Sequence, residues 1–232
     1  DTLALPLEFV GATATLNGSP LALTTNQSGQ ALSWNLGTIP AGQQAVITLT
    51  ARVANSDTTN AGGTFANTAS YTYTGAAQAF TSLPTTALKI VEPLVTVTKA
   101  VTPTTQPTAG DVLHYSVNLA AATGTNYSGA FDTGLVDTLS LGLAYVSGSA
   151  RVGGVAVEPV VAGDGVTTPQ TLTWSGIDIP EGTTVVVTYD VRVLNSVGAN
   201  QTLTNNVTAR WTSLNGVNAA ERTGTGTPAY ND

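Results

Sequence analysis

Three polar side chains in this sequence stand at positions that strand alternation assigns to the interior. Lys99 shares its parity with the valines of segment 95–101, and Asp137 shares its parity with the leucines of segment 135–141. Asn205 shares its parity with the apolar residues of segment 203–211. Successive side chains of a strand point to opposite faces, so residues of one parity lie together. We therefore expect a lysine, an aspartate and an asparagine to be buried.

The three buried groups should meet one another, because an isolated charge in an apolar interior costs several kcal/mol. Two arrangements satisfy this requirement. In the first, Lys99 and Asp137 form a buried salt bridge that Asn205 completes with hydrogen bonds. In the second, neutral Lys99 attacks the side-chain amide of Asn205, Asp137 acts as the catalytic proton shuttle, and ammonia leaves. The product of the second is an isopeptide crosslink, and the sequence leaves both open.

The composition argues against other chemistry. The 232 residues include one histidine and no cysteine, which excludes thiolate metal sites, cysteine nucleophiles and centres with two imidazoles. A net charge of −7 disfavours nucleic-acid binding, and no apolar run is long enough for membrane insertion. We expect no enzyme, no metal and no cofactor, although calcium at loop residues Asp164 or Asp178 stays open. His114 alternates with inward neighbours and is expected on a solvated strand face.

The chain contains two copies of one module. Matching motifs recur at offsets of 136 to 140 residues, and the small changes in offset fall where Gly, Pro and Asn cluster, as insertions in loops would. The matched pairs include Asp1-Thr-Leu3 with Asp137-Thr-Leu139, Trp34 with Trp174, Ile39-Pro40 with Ile179-Pro180, Arg52-Val53 with Arg192-Val193, and Phe65-Ala-Asn67 with Leu203-Thr-Asn205.

The repeat predicts a boundary at Glu92-Pro93, with modules at 1–92 and 93–232. Residues 93–136 have no counterpart ahead of Asp1, so the first module is expected to lack its opening strands. That module keeps Asp1 and Asn67, but the position equivalent to Lys99 falls in the missing part. Both ends of the chain are expected to lie inside repeats, as in an excised piece of a longer protein.

Short segments with period-two alternation, separated by Gly, Pro, Asn and Asp clusters, predict an all-β fold. Thr and Val are plentiful, whereas the charged residues that usually cover helix surfaces make up only 9% of the chain. About seven short strands per module favour an immunoglobulin-like β-sandwich. The sequence therefore predicts two tandem immunoglobulin-like β-sandwich modules, the first of them without its N-terminal strands.

Several of these motifs resemble those of the bacterial surface-repeat family called domain of unknown function eleven. They are Val97-Thr-Lys99-Ala-Val101, Asp137-Thr-Leu139, Ile179-Pro-x-Gly182 and Leu203-Thr-Asn205. The resemblance implies immunoglobulin-like sandwiches in tandem arrays on large secreted or cell-wall proteins, related to the isopeptide-forming domains of fimbrial pilins. It also implies a crosslink between a lysine of an opening strand and an asparagine of a closing strand, which correspond to Lys99 and Asn205. Asp137 corresponds to the usual acid.

These features favour a structural stalk segment of an extracellular, cell-surface or secreted adhesin-like protein, stabilised by the Lys99–Asn205 bond. Its expected partners are neighbouring repeats of the same polypeptide, with other copies of itself as further candidates. One alternative is a filament or pilus subunit, because an incomplete first module would expose sheet edges that β-strand complementation between molecules could complete. A second alternative is a glycan or host-ligand binding module, which would need clustered exposed aromatics. Trp34, Trp174 and Trp211 are instead expected near the core.

Overall fold

The computed structural model describes residues 1–5, 7–54, 61–103, 106–225 and 229–231, and divides the chain into two compact units, Asp1–Ile90 and Val91–Asp232. Every regular element in the described residues is a β-strand, which confirms the all-β prediction. Over the same residues, no helix is long and apolar enough to cross a membrane. The division falls after Ile90, and the predicted repeat modules of 1–92 and 93–232 stay a prediction.

The first unit is built around one three-stranded antiparallel sheet. Its strands are β1 (Leu7–Leu16), β2 (Ser19–Leu21), β3 (Thr25–Ser28), β4 (Ala31–Trp34), β5 (Ala45–Val53), β6 (Thr64–Phe65), β7 (Ser70–Tyr71), β8 (Phe80–Thr81) and β9 (Leu88–Lys89). The sheet has the order β2-β1-β5, while β3–β4, β6–β9 and β7–β8 are separate pairs. Among the described hydrophobic residues of this unit, only Leu3, Ala14, Leu32 and Ile90 are buried. Its core is therefore small.

The second unit contains the remaining strands. They are β10 (Glu92–Pro93), β11 (Val95–Thr102), β12 (Val112–Ala121), β13 (Tyr127–Ser128), β14 (Ala130–Leu139), β15 (Leu143–Tyr145), β16 (Arg151–Val152), β17 (Val155–Ala156), β18 (Val160–Ala162), β19 (Thr171–Ile179), β20 (Thr184–Val193), β21 (Asn205–Thr212), β22 (Thr223–Thr225) and β23 (Ala229–Asn231). One sheet has the order β11-β12-β20-β16-β17, with β15 also paired to β20. The other has the order β18-β19-β14-β21-β22-β23. The two sheets form an immunoglobulin-like antiparallel β-sandwich.

The core of the second unit fills the space between these two sheets. Leucines and valines of β12, β14, β19 and β20 alternate inward and are fully buried, including Leu119, Leu135, Leu172 and Val187. Full burial of one such side chain contributes about 1.5–3 kcal/mol to stability. The unit therefore has a large apolar interior in which a charged group would be desolvated.

The predicted alternation is confirmed in the strands that carry the polar residues. In β11 the valines turn inward and the threonines outward, and β21 follows the same rule. One detail is wrong: Leu141 has the parity of Asp137, yet it is 39% exposed. The reason is that β14 ends at Leu139 and the chain turns at Gly142, whose φ of 93° falls in the left-handed region that favours glycine.

Candidate crosslinking site

Three strands from both sheets position the predicted site residues. Lys99 lies on β11, at the edge of one sheet, and Asp137 lies on β14, in the middle of the other. Asn205 begins β21 and pairs in register with Leu139, two residues beyond Asp137. Residues offset by two across a strand pair are diagonal neighbours on one face of the sheet. The aspartate and the asparagine therefore lie side by side on the face that the lysine approaches.

Lys99 and Asp137 form an ion pair inside the sandwich. The Lys99 Nζ atom donates to Oδ2 of Asp137, whose side chain is completely buried, while 13% of the lysine side chain is exposed. Asn205 is half-buried. The predicted burial is thus complete for the acid, nearly complete for the amine and partial for the amide.

Tyr189 connects the amide to the acid, and the sequence analysis missed it. Its hydroxyl donates to Oδ2 of Asp137 at 2.5 Å and accepts a hydrogen bond from Nδ2 of Asn205 at 3.2 Å. The tyrosine hydroxyl therefore joins Asn205 to Asp137, a link that was not expected from the sequence. Parity could have indicated this residue, because Tyr189 shares the inward face of β20 with buried valines on either side.

Two aromatic rings form the wall beside the ammonium group. The Lys99 Nζ atom lies 5.0 Å from the ring centroid of Tyr115 and 5.9 Å from that of Tyr189. The two rings stack on one another with centroids 5.4 Å apart. Aromatic faces attract a cation but hydrate it poorly, so they keep water away from the amine.

Burial moves the pKa values of the acid and the amine toward each other. Desolvation lowers the pKa of Lys99, against the opposing hydrogen bond and charge of Asp137. Desolvation raises the pKa of Asp137, against hydrogen bonds from Lys99 and Tyr189. Both shifts disfavour the charged forms, so transfer of a proton from the ammonium to the carboxylate costs less here than in water.

Two oxygens of the site accept no hydrogen bond. They are Oδ1 of Asp137 and Oδ1 of Asn205, both buried and without a partner among the described residues. A buried acceptor without a donor costs about 1–3 kcal/mol. The site is therefore only partly satisfied as an ion pair.

The first unit contains two of the three groups. Nδ2 of Asn67 donates directly to Oδ2 of Asp1 at 2.7 Å, and Oδ1 of each residue is again buried without a partner in the described part of the chain. The repeat offset of 140 places Leu49 where the second unit has Tyr189. The acid and the amide therefore meet without an intervening hydroxyl.

The other candidate residues lie outside this site. His114 is on an exposed strand face, as predicted, and its Nδ1 lies 2.6 Å from Oδ1 of Asp190. Oδ1 of Asp164 accepts three backbone N–H groups of its own loop, and Oδ1 of Asp178 accepts the N–H of Asp132. Where the structure describes the chain, no three His, Cys, Asp or Glu residues group as metal ligands.

The tryptophans agree with the sequence analysis. Trp174 and Trp211 are buried in the second unit, and Trp34 is half-buried in the first. Exposed aromatics do cluster elsewhere, which the sequence analysis did not anticipate. The ring of Phe80 stacks on those of Tyr71 and Tyr73, with centroids 5.1 and 5.9 Å apart.

Comparison with known proteins gives structural neighbours only. No family model and no curated protein matches the sequence. The chain is similar to a variant of BcpA, the major pilin subunit of Bacillus cereus, at 12% identity and a TM-score of 0.38, over 95% of this chain and 64% of that one. It is also similar to the collagen binding domain of the Erysipelothrix rhusiopathiae surface protein RspB, at 15% identity and a TM-score of 0.31, over 78% of this chain and 60% of that one. The chain thus spans less than two thirds of either neighbour.

Proposed function

We propose that the second unit closes an isopeptide bond between Lys99 and Asn205, and that the chain is a structural segment of a bacterial surface protein. The observation that carries the crosslink is the burial of the Lys99–Asp137 pair, with the Asn205 amide joined to the same carboxylate oxygen through Tyr189. All three groups that the reaction needs therefore meet in one apolar pocket.

The reaction transfers an acyl group from ammonia to the lysine amine. Asp137 takes a proton from Lys99, and the resulting neutral Nζ attacks the side-chain carbonyl carbon of Asn205. Protonated Asp137 can donate to Oδ1 of Asn205, which accepts no hydrogen bond from any described residue of the ion-paired site. The C–N bond to the lysine forms and Nζ gives its second proton to Asp137, while the bond to the original amide nitrogen breaks and that nitrogen takes the first shuttled proton and leaves as ammonia.

The crosslink would change how the sandwich bears force. Lys99 belongs to the opening strand of one sheet and Asn205 to a late strand of the other. A covalent bond between them joins the two sheets, so tension along the chain could not pull β11 away from the sandwich. This is a mechanical function and requires no substrate.

The tandem repeat and the resemblance to surface-repeat modules support a surface location. A segment of a stalk needs repeated β-sandwiches, and an extracellular protein benefits from lacking cysteine and methionine, which oxidise readily. We accordingly assign the chain to an extracellular stalk, with a filament subunit as the second candidate because β5 of the first unit pairs with one strand only among those the structure describes.

Intact-mass measurement tests the crosslink. The wild-type chain is expected to weigh one ammonia less than its sequence, and peptide mapping should locate a Lys99–Asn205 branched peptide. The chain has two lysines, which supply a matched pair of variants: Lys99→Arg should restore the full mass, and Lys89→Arg should not. A wild-type chain of full mass would contradict the proposal and leave a buried salt bridge.

A further inference from the structure

The leaving nitrogen of Asn205 needs a proton before the crosslinking reaction can finish. An amide nitrogen that gained no proton would have to leave as a very strong base, so it leaves as ammonia only after a proton reaches it. That proton starts on Lys99, whose amine donates to Oδ2 of Asp137. The group that connects Oδ2 of Asp137 with Nδ2 of Asn205 therefore decides how the proton reaches the nitrogen.

The Tyr189 hydroxyl lies between these two atoms. It donates to Oδ2 of Asp137 at 2.5 Å and accepts a hydrogen bond from Nδ2 of Asn205 at 3.2 Å. The Asn205 side chain also lowers the pKa of Asp137, but less than Lys99 and Tyr189 do. The hydrogen bonds therefore run in series from the amine to the carboxylate oxygen, then to the phenol oxygen and then to the amide nitrogen.

A hydroxyl can pass a proton along such a series because it has one hydrogen to donate and two lone pairs to accept. While Asp137 is charged, the phenol hydrogen points to Oδ2. Addition of the amine to the side-chain carbon ends the amide conjugation, which gives Nδ2 a free lone pair. Once Oδ2 carries the proton from Lys99, both hydrogen bonds of the phenol can reverse, and its hydrogen then points to Nδ2.

The ring of Tyr189 is held in place by aromatic neighbours. Tyr189 is 1% exposed, and its ring stacks on that of Tyr115 with centroids 5.4 Å apart. The ring of Trp174 packs against it at a tilt, with a centroid distance of 5.5 Å. Tyr189 and Tyr115 also pair in register across β20 and β12. The phenol oxygen can therefore stay in place while only hydrogens move.

Burial keeps the phenol of Tyr189 neutral. Desolvation raises its pKa well above the usual value of a tyrosine, and the charge of Asp137 acts in the same direction. A free phenolate is therefore disfavoured throughout the reaction. The hydroxyl can give its proton away only as it takes another one, so the two transfers belong to one step.

We propose that Tyr189 is a catalytic residue of the crosslinking reaction and relays a proton from Asp137 to the leaving nitrogen. After attack by Lys99, the phenol gives its proton to Nδ2 of Asn205 while the phenol oxygen takes the proton from Oδ2 of Asp137. The bond between this nitrogen and the side-chain carbon breaks, and ammonia leaves. Nζ gives its second proton to the carboxylate, and Tyr189 ends as a neutral phenol. This inference rests on the reaction proposed above and assigns one step of it.

Rates of ammonia loss test the relay. Timed mass spectra after refolding give the rate, and tryptophan fluorescence follows folding separately, so the chemical step is timed in folded chains. Tyr189→Phe should lower the rate by about 100-fold or more, the usual contribution of a positioned acid or base. Tyr145→Phe is the matched control and should leave the rate unchanged. It removes a phenol that donates to a carboxylate, that of Glu158 at 2.7 Å, and whose ring lies 6.5 Å from that of Tyr189.

The number of protons that move in the slow step separates a relay from a purely structural role. In mixtures of light and heavy water, the wild-type rate should fall along a curve as the deuterium fraction rises, because two protons move together. The rate of Tyr189→Phe should fall along a straight line, because one proton moves. A tyrosine that only holds Asp137 and Asn205 in place would give the same shape in both chains. The wild-type measurement needs no variant, so it tests the relay even if Tyr189→Phe fails to refold.

Three results would overturn the relay. They are a straight line for the wild-type chain, a wild-type rate in Tyr189→Phe, and an equal loss of rate in Tyr145→Phe. A wild-type chain of full mass would instead contradict the crosslink itself, so the two proposals fail in different measurements. The stability of Tyr189→Phe in an Asn205→Ala background, where no reaction occurs, gives the structural cost of the lost hydroxyl apart from its chemical effect.

Discussion

The two units carry the same aspartate and asparagine in different surroundings. Asp137 is fully enclosed by a two-sheet core, whereas Asp1 is half-buried in a unit with few buried apolar residues. Desolvation is what raises the pKa of Asp137 and lowers that of Lys99. The motif therefore supplies the acid and the amide in both units, while the closed sandwich of the second unit supplies the desolvation that shifts the pKa values of Asp137 and Lys99.

A second difference lies in how the amide reaches the acid. Asn67 donates directly to Asp1, but Asn205 donates to Tyr189, which donates to Asp137. The first unit has Leu49 at the tyrosine position. In the second unit a hydroxyl holds both the amide and the acid, and Oδ1 of Asp137 accepts no hydrogen bond from any described residue.

Replacing the acid should have the largest effect. In an Asn205→Ala background, where no crosslink forms, adding Asp137→Ala should lower the free energy of unfolding by about 3–5 kcal/mol, because it leaves Lys99 buried without its partner. Asp1→Ala in the same background should cost about 1 kcal/mol, the worth of one hydrogen bond. Denaturant unfolding measures both, and equal losses would break the contrast between the units.

Truncating the matched aromatics tests whether only one unit has a closed core. Trp211→Ala should destabilise the second unit by about 3–5 kcal/mol, because a buried tryptophan leaves a large cavity. Tyr73→Ala, at the equivalent exposed position, should change stability by about 0.5 kcal/mol or less. The expected difference disappears if the first unit buries Tyr73 in solution, which solvent quenching of tyrosine fluorescence would reveal.

Removing the bridging hydroxyl tests the difference between the two units at a single atom, the Tyr189 oxygen. Tyr189→Phe should cost about 1–3 kcal/mol, since Oδ2 of Asp137 and the Asn205 amide each lose a partner, and crosslinking should slow. Tyr189→Leu introduces the residue that the first unit has at this position and should slow crosslinking further. Time courses of ammonia loss after refolding measure the rates; an unchanged rate in both variants would remove Tyr189 from the site.

The crosslinking rate should have a bell-shaped dependence on pH. Below the pKa of Asp137 the carboxylate is already protonated and cannot take the lysine proton; above the pKa of Lys99 the pair has lost the proton that leaves with ammonia. Burial raises the pKa of Asp137 from 3.8 and lowers the pKa of Lys99 from 10.5. The acidic and the basic limb of the rate profile should therefore both lie between pH 3.8 and pH 10.5. The rate should fall about tenfold per pH unit beyond each limb. The measurement uses chain recovered unfolded in denaturant and diluted into buffers of different pH, and a flat profile would contradict the shuttle.

Substitutions on the outer strand faces of the two units should have similar effects on stability, and these effects should be the smallest. Glu8 pairs with Arg52 in the first unit, and Asp190 pairs with His114 in the second, all on exposed or partly exposed strand faces. Glu8→Gln and Asp190→Asn should each change the free energy of unfolding by about 1 kcal/mol or less, because water screens such pairs. A large loss from either one would show that the units differ outside their cores as well.

The sequence predicted the all-β fold and the inward faces of β11 and β21 from alternation alone. It also predicted that Lys99 and Asp137 meet, because a lysine and an aspartate inside the same apolar interior stabilise each other's charge. The sequence did not identify Tyr189 as a residue of the site, since inward tyrosines are common and parity does not reveal where a hydroxyl points. Leu141 was placed on the wrong face because the end of β14 depends on the turn that follows.

By itself, the sequence determined which residues repeat, which of them face inward, and that the second unit has a lysine for its acid. These properties are periodic and local, so they can be read along the chain. The tertiary structure decided which oxygens are left without donors, which hydroxyl joins amide to acid, and which aromatic residues are covered. These features depend on how two sheets pack across a core. The distances between the sheets are set by residues that lie far apart in the sequence.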